Sequence, residues 1–396
     1  MNDQSVLHLL TINSGSSSLK AGLYKVAKQT ETLVFTATLE RIGLPNSRMQ
    51  VKDGQGTVLF QQKADLPDHT AALKTWLDWL QDHNPDSKPD AVGHRIVHGG
   101  SQFSEPQRLT PELLTALQAL IPLAPAHLPQ AIQAIELITK TYPKLPQVAC
   151  FDTAFHRHMP RVAQQYALPR SLEEAGVLRY GFHGLSYEYI MFQLQILDAQ
   201  AAKGRVIIAH LGNGASMAAV LDGRSLDTTM GFTPTGGLVM STRSGDLDPG
   251  VLVYLLQEQK MSAQDLNDLL NRQAGMLGVS GSSGDMQDLL EKEASDKNAA
   301  EAIELFCYQA RKFIGALTTV LGGLDSLVFT GGIGEHAASI RQRICSGLEF
   351  IGLKVETERN AAHAAIISGE ESLVTVRVIQ TDEDLMIARH TRDLVS

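Results

Sequence analysis

Cysteine is almost missing from the 396-residue chain, which carries only Cys150, Cys307 and Cys345. None pairs with another at C-x-x-C spacing, which excludes a zinc knuckle and a disulfide framework. All three are expected to be small buried residues of a reducing compartment. A basic surplus is also lacking: 34 Lys and Arg stand against 43 Asp and Glu, for a net charge of −9. That excludes a broad nucleic-acid-binding face, though a local arginine pair can still hold a small anion. Long apolar runs are absent too. The longest uncharged stretch, Leu113 to Ile135, is broken by Pro122, Pro125 and Pro129 and carries Gln118, Gln130 and Gln133, so no membrane span is expected. The N-terminal Met1-Asn-Asp-Gln4 lacks the basic start and apolar core of a signal peptide, and the expected location is the cytoplasm. Neither G-x-x-x-x-G-K-[ST] nor a G-x-G-x-x-G opening a helix occurs, so P-loop and dinucleotide-binding sites are disfavoured.

What is present is an ordinary globular balance of 43% apolar and 19% charged residues, long enough for two or three domains at about 100–200 residues each. A short apolar strand, Leu9 to Ile12, runs into the small polar turn Asn13 to Ser18 and a second strand from Leu19, the pattern of a β-hairpin. The unit recurs about 200 residues later as Val206 to Ala209, His210 to Ser216 and Met217 to Leu221. A further strand, Leu327 to Thr330, enters Gly331-Gly-Ile-Gly334, with a helix after it. Thr110 with Pro111 marks a helix start, and Ser262 with Asp265 starts another that Gly275 is placed to stop. Ile303, Phe306, Ala310, Phe313, Leu317 and Val320 repeat at helical spacing between Asn298 and Leu321. Strands alternating with helices predict an α/β class with mixed sheets. The chain carries no low-complexity linker, and the domain boundary is placed near Cys150 and Phe151.

Three Gly/Ser-rich turns at strand ends, Asn13–Ser18, Gly212–Ser216 and Gly331–Glu335, are candidate anion cradles, because glycine lets successive backbone N–H groups approach a phosphate. One such turn is usually only a turn; three at strand ends carry more weight. Arg95 and Arg243 each sit among glycines and small residues, where a guanidinium can face a carboxylate or phosphate bidentately. A surface ion pair is the plainer alternative for either. Asp152 follows an apolar run, and Glu383 lies within Thr381-Asp-Glu-Asp384. Isolated carboxylates suit magnesium, which takes one or two of them plus substrate phosphates. On residue type alone Asp382 or Asp384 serves as well as Glu383. The 13 histidines show no metal-ligand spacing; His127, His183 and His210 in Pro- or Gly-rich motifs are either structural or donors to a phosphoryl group.

Seven segments, in order, resemble the signatures of the acetate kinase (acetokinase) family: Ile12–Lys20, Arg95–Gly100, Phe151–His156, Arg179–Gly184, His210–Ser216, Thr242–Asp246 and Phe329–Glu335. They span nearly the whole chain. The resemblance implies two duplicated ribonuclease-H-like domains of the actin and hexokinase type, with mixed five-stranded sheets and an interdomain cleft that closes on ATP. It places an N-terminal acetokinase domain at residues 1–151 plus 385–396 and a nucleotide-binding and dimerisation domain at residues 152–384, in a homodimer. It implies reversible, in-line phosphoryl transfer between ATP and acetate, giving acetyl phosphate and ADP. Mg2+ is the implied metal, with Mn2+ as an alternative. Propionate, or a range of short fatty acids, is the alternative acceptor.

Matched position by position, the resemblance implies catalytic roles for Asn13, Arg95, Asp152, His183 and Arg243. The metal would be linked to Asn13, Asp152 and Glu383. The acyl group would meet Arg95, Val97, Ala126, His127, Phe182 and Pro234. The nucleotide would meet Ser16, Ser18, Lys20, His210, Gly212, Asn213, Gly214, Asp285, Met286, Gln287, Gly331, Gly332, Ile333, Gly334 and Glu335. The chain departs from the family at Pro125-Ala-His-Leu-Pro129, at Phe182-His-Gly-Leu-Ser-Tyr187 (usually ending Thr-Ser-His), at Thr233–Gly237, at Gly284–Asp288 and at His336. No departure removes a catalytic group; acyl and base selectivity are where they bear. The rival reading is a nucleotide-dependent switch protein on the same fold, which would need no acyl pocket.

Overall fold

The computed structural model describes residues 6–27, 30–84, 88–125 and 127–396. The chain divides into two compact units, one of residues 1–154 with 382–396 and the other of residues 155–381.

In the first unit, β1 (Leu7–Ser14) and β2 (Ser18–Ala27) form the hairpin read from the sequence, in a register that sets Asn13 opposite Lys20. The turn closes with Gly15 N–H donating to Ser18 C=O at 2.8 Å. The meander continues antiparallel through β3 (Thr30–Glu40), β4 (Arg48–Asp53) and β5 (Val58–Lys63). On the far side of β1 lie β6 (Ala91–Ile96) and, beyond a short β7 (Gln107–Arg108) in the chain, β8 (Gln147–Phe151). The eight strands run in the order β5-β4-β3-β2-β1-β6-β8-β7, with β1, β6 and β8 parallel.

The second unit has five strands: β9 (Arg205–Leu211), β10 (Ala215–Leu221), β11 (Arg224–Thr228), β12 (Ser326–Thr330) and β13 (Thr375–Val378). Their order is β11-β10-β9-β12-β13, with β9, β12 and β13 parallel. Each unit therefore holds the pattern third–second–first–fourth–fifth, with an antiparallel meander on one side of the first strand and parallel strands on the other. The repeat glimpsed in two hairpins is a repeat of whole sheets.

The expectation of five strands per sheet holds for the second sheet and fails for the first, which has eight. The extra strands are β7 and a second hairpin, β4–β5, at whose turn Asp53 Oδ1 accepts from the N–H groups of Gln55 and Thr57 and Gly56 has φ +87°. Met49 and Val51 alternate inward and are fully buried against Trp76 and Trp79 of the helix His69–His83. Such short strands give weak period-two signals.

The helices follow their punctuation. Thr110 caps Pro111–Ala119, and Ser262 forms a capping box with Asp265. The latter helix runs to Asp268, continues as a π-turn through Leu269–Gln273 and gives way at left-handed Gly275 (φ +63°), which also opens the next helix. Its missing Cβ lets the chain press on the Met240 and Arg243 backbones. The long helix Lys297–Leu321 ends on left-handed Gly322. Its buried stripe runs through Ile303, Phe306, Ala310, Ile314, Leu317 and Leu321, and Val320 is exposed.

The last helix, Glu383–Val395, packs on β1 and β6 of the first unit. Gly93 of β6 permits this, since a Cβ there would collide with Thr391 and Ile387. Among the described residues, no helix is long and apolar enough to cross a membrane.

Candidate active site

Parallel register builds the first cluster. Ile12 pairs with His94, so Asn13 continues β1 beside Arg95. Arg95 pairs with Cys150, which places Asp152, two residues on, along the same face. Three adjacent parallel strands thus deliver Asn13, Arg95 and Asp152 to their carboxyl ends, where open α/β sheets bind ligands. The last helix adds Glu383 from its first turn.

Asp152 is fully buried and takes the Arg95 guanidinium side-on, with Nε at 3.0 Å from both oxygens and Nη2 at 2.6 Å from Oδ2. Arg95 Nη1 donates to Asn13 Oδ1 at 3.0 Å and lies 3.5 Å from Glu383 Oε2, which accepts from Asn13 Nδ2 at 3.1 Å. Burial opposes the charge on Arg95, but Asp152 and Glu383 outweigh it and hold the guanidinium firmly protonated. Beside them Asp384 is half-buried, with Oδ1 shut off from solvent and lacking a hydrogen-bond partner. Burial, then Asp382 and Glu383, push its carboxyl up to about 7, against the pull of Lys20 and Arg95.

Of the first loop, Asn13 is buried, Ser18 half-buried, and Ser16 and Lys20 exposed. His69 braces this loop through the Gly15 carbonyl at 2.8 Å. Ser14 in the same loop carries a buried hydroxyl with no partner, a donor that sequence reading passed over because serine there looked like turn filler.

Second-unit residues form another cluster. β9 and β12 are parallel with His210 beside Thr330, so the Gly212–Asn213 turn and the Gly331–His336 helix emerge at one end of the sheet. Gly331 has φ +77°, and its absent Cβ would meet the Leu211 backbone at 2.8 Å. Ser241 N–H donates to Asn213 C=O, and Arg243 Nη1 donates to Pro234 C=O at 2.5 Å. A Cβ on Gly214 would stand 2.6 Å from Arg243 Nη2 and 3.1 Å from His183 Nε2. Glycine 214 therefore leaves open a point on which a guanidinium and an imidazole converge. His183 has left-handed φ of +59° at the start of the helix Gly184–Leu197 and stacks on His210 with ring centroids 4.3 Å apart.

The Gly331–Glu335 loop is held from within. Glu335 Oε1 accepts from Gly331 N–H at 2.8 Å and from Thr381 N–H at 3.2 Å. Arg341, fully buried, donates to the Gly334 and Glu335 carbonyls at 2.9 and 2.8 Å. Gly332 has open space where a side chain would be, and Ile333 and Gly334 follow it in the same helical turn. The sequence signal for Arg341 was only a basic residue on an otherwise buried face of the helix Ala338–Cys345.

The remaining sequence candidates divide. Val97 and Phe182 are buried, Pro234 is half-buried, and His127 stands at the cap position of Leu128–Thr141. Ala126 lies outside the described residues. Asp285 caps the helix Met286–Lys292 by accepting from the N–H groups of Gln287 and Asp288. Met286 is buried, and Gln287 is exposed with its amide on Glu291. Of those three, Met286 alone is buried, and Asp285 and Gln287 are exposed.

Residues 8–389 match the model of the acetokinase family. An acetate kinase of Rhodopseudomonas palustris is 48% identical over 390 residues, covering 96% of this chain and 97% of that protein. The crystal structure of Porphyromonas gingivalis acetate kinase superposes with a TM-score of 0.87 at 38% identity, over 98% of this chain and 100% of that one. A propionate kinase structure from Francisella tularensis gives 0.91 at 37% identity, over the same shares. With a family model matched from β1 to the last helix, and relatives of this identity over nearly their full length, the chain belongs to the acetokinase family.

Proposed function

We propose that this chain transfers the γ-phosphoryl group of ATP to the carboxylate of acetate, reversibly and directly, giving acetyl phosphate and ADP. The observation that carries the reading is the convergence of Arg243 and His183 on the open point beside Gly214. A loose phosphoryl transition state needs positioning and charge stabilisation more than covalent help, and donors fixed in advance at such a point supply it. The nucleophile is a carboxylate ionised near neutrality, with a pKa of roughly 4–5, so no general base is required. Arg243 and His183 are assigned to the migrating phosphoryl group, and Arg95 with Asn13 to the charge brought up in the first unit. Asn213, Gly214 and the amides of Gly332 and Ile333 are assigned to ATP phosphates.

Among the described residues no three acids or histidines gather to hold a metal ion by themselves, so the first cluster suits a hard cation that takes one or two carboxylates plus substrate phosphates. When bound there, Mg2+ (or Mn2+) neutralises phosphate charge. Glu383 and Asn13 are assigned to hold it. Both oxygens of Asp152 already accept from Arg95, so its part is to orient that guanidinium and to reach the ion through water.

Propionate is a second acceptor within the same reading, favoured by the likeness to the Francisella propionate kinase. Self-association is supported by the helix Pro249–Gln257, which is apolar throughout its middle yet has no buried residue, an arrangement expected of a surface that a partner covers. A cytoplasmic homodimer is the corresponding assembly. The test is ADP release by the purified protein with Mg2+ and ATP. Release that depends on added acetate supports the kinase; release indifferent to acetate supports the switch protein instead.

A further inference from the structure

His183 is held by more than its stack on His210. Its Nδ1 lies 2.8 Å from Ser216 Oγ on β10, and the same oxygen meets the hydroxyl of Tyr187 in a very short contact. Ser216 and Tyr187 are both fully buried. Tyr187 is one helical turn beyond His183 and stands where the family usually has histidine. The structure thus contains a chain of hydroxyls, Tyr187 to Ser216 to His183, ending on the residue assigned to the phosphoryl group.

Donor strength favours one polarity along it. A serine hydroxyl has one proton to give and two lone pairs, and a neutral imidazole has one N–H and one bare nitrogen. A phenol, with a pKa of about 10, is a better donor than an aliphatic hydroxyl and a poorer acceptor. Tyr187 therefore donates to Ser216, and Ser216 donates to Nδ1. The reverse order would put the imidazole proton on Nδ1 and make the weaker donor, the serine hydroxyl, give to the phenol. It would also permit an imidazolium whose Nε2 stands 3.1 Å from the point that Arg243 Nη2 approaches to 2.6 Å, and two cations there repel.

Two further imidazoles face this assembly. His210 stacks on His183, and its own Nδ1 sits on Ser186 Oγ at 2.8 Å. His156 lies edge-on to Tyr187, and burial lowers its pKa to about 4.

We propose that Tyr187, acting through Ser216, is a positioning residue that keeps His183 neutral with its proton on Nε2, aimed at the open point beside Gly214. His183 then serves as a neutral hydrogen-bond donor, and Arg243 supplies the positive charge. What that N–H meets rests on the functional reading above; the tautomer does not.

The test is the 15N spectrum of histidine-labelled protein at pH 7, with His183 assigned by the signals lost in His183→Asn. The expected result is a neutral His183 protonated at Nε2. In Tyr187→Phe and in Ser216→Ala that single-tautomer signature is lost, and kcat falls roughly five- to tenfold, as for one hydrogen bond of about 1 kcal/mol. KM for ATP and for the acid stays within about twofold, since the bond acts on transferring charge. A doubly protonated His183, a proton on Nδ1, or a pattern unchanged in both variants overturns the proposal. The wild-type spectrum and either variant suffice, should the other fail to fold. The expected spectrum in a protein that makes no acyl phosphate would leave the relay standing and sink the functional reading.

Discussion

Arg95 and Arg243 carry the same charge in opposite settings, and their substitutions should separate accordingly. Arg95 neutralises Asp152, a carboxylate with no solvent exposure. Arg95→Ala leaves that charge buried and uncompensated, which costs about 3–5 kcal/mol of stability. Arg243 Nη1 is held by a backbone carbonyl, so Arg243→Ala should lower kcat by about 10²–10³ with little change in the urea unfolding midpoint. Equal midpoint losses in the two variants would show that Arg243 is structural.

The same reasoning divides the acids. Glu383→Gln should raise the Mg2+ concentration needed for half-maximal rate, because a hard cation loses an ionised ligand. Asp152→Asn should lower kcat through a misaligned Arg95 and leave the Mg2+ midpoint nearly unchanged. The opposite pattern would move the metal to Asp152. Sequence identified these side chains but could not show that Asp152 turns toward Arg95, since that depends on the parallel register of β6 and β8.

At the scale of the element, turns were legible and widths were not. Asn13–Ser18 and His210–Ser216 announced their hairpins because glycine and serine at a strand end leave few other conformations. The β4–β5 extension was invisible because it depends on Met49 and Val51 finding Trp76 and Trp79, a contact that local pattern does not encode. Gly275 serves two ends at once: left-handed glycine ends helices often, as it does after the π-turn Leu269–Gln273, and it permits a close approach to the Met240 and Arg243 backbones.

The β6–β8 pairing also sets a pH dependence. His94 on β6 bonds Gln147 at 2.7 Å while its Nδ1 has no partner, and burial lowers its pKa to about 4. Its folded pKa lies below the unfolded value of about 6.5, so the unfolded chain binds protons first as pH falls. Stability is therefore full above about pH 6.5 and is lost as pH drops toward 4. Between pH 7 and pH 5, His94 should account for about 2 kcal/mol of lost stability, and His94→Gln should flatten the urea-measured slope by that amount. An unchanged slope would show that His94 accepts a proton within the fold.

For the molecule as a whole, duplication is what the sequence hinted and the sheets display. The order β3-β2-β1-β6-β8 in one unit repeats as β11-β10-β9-β12-β13 in the other, and each copy places its chemistry at the carboxyl ends of the parallel strands. The proposed self-association rests on Val251, Val253, Tyr254 and Leu256, which are 40–52% exposed. Light scattering should return the mass of two chains, and Val253→Asp with Tyr254→Lys should return that of one. A wild-type monomer at micromolar concentration would contradict the homodimer.

The central claim is transfer to a carboxylate, and trapping the product tests it most directly. Purified protein with Mg2+, ATP and acetate, in the presence of hydroxylamine, should accumulate acetohydroxamate in step with ADP, and Arg243→Ala should lower both together. Folded wild-type protein that yields no hydroxamate from acetate or propionate while still releasing ADP would contradict the account.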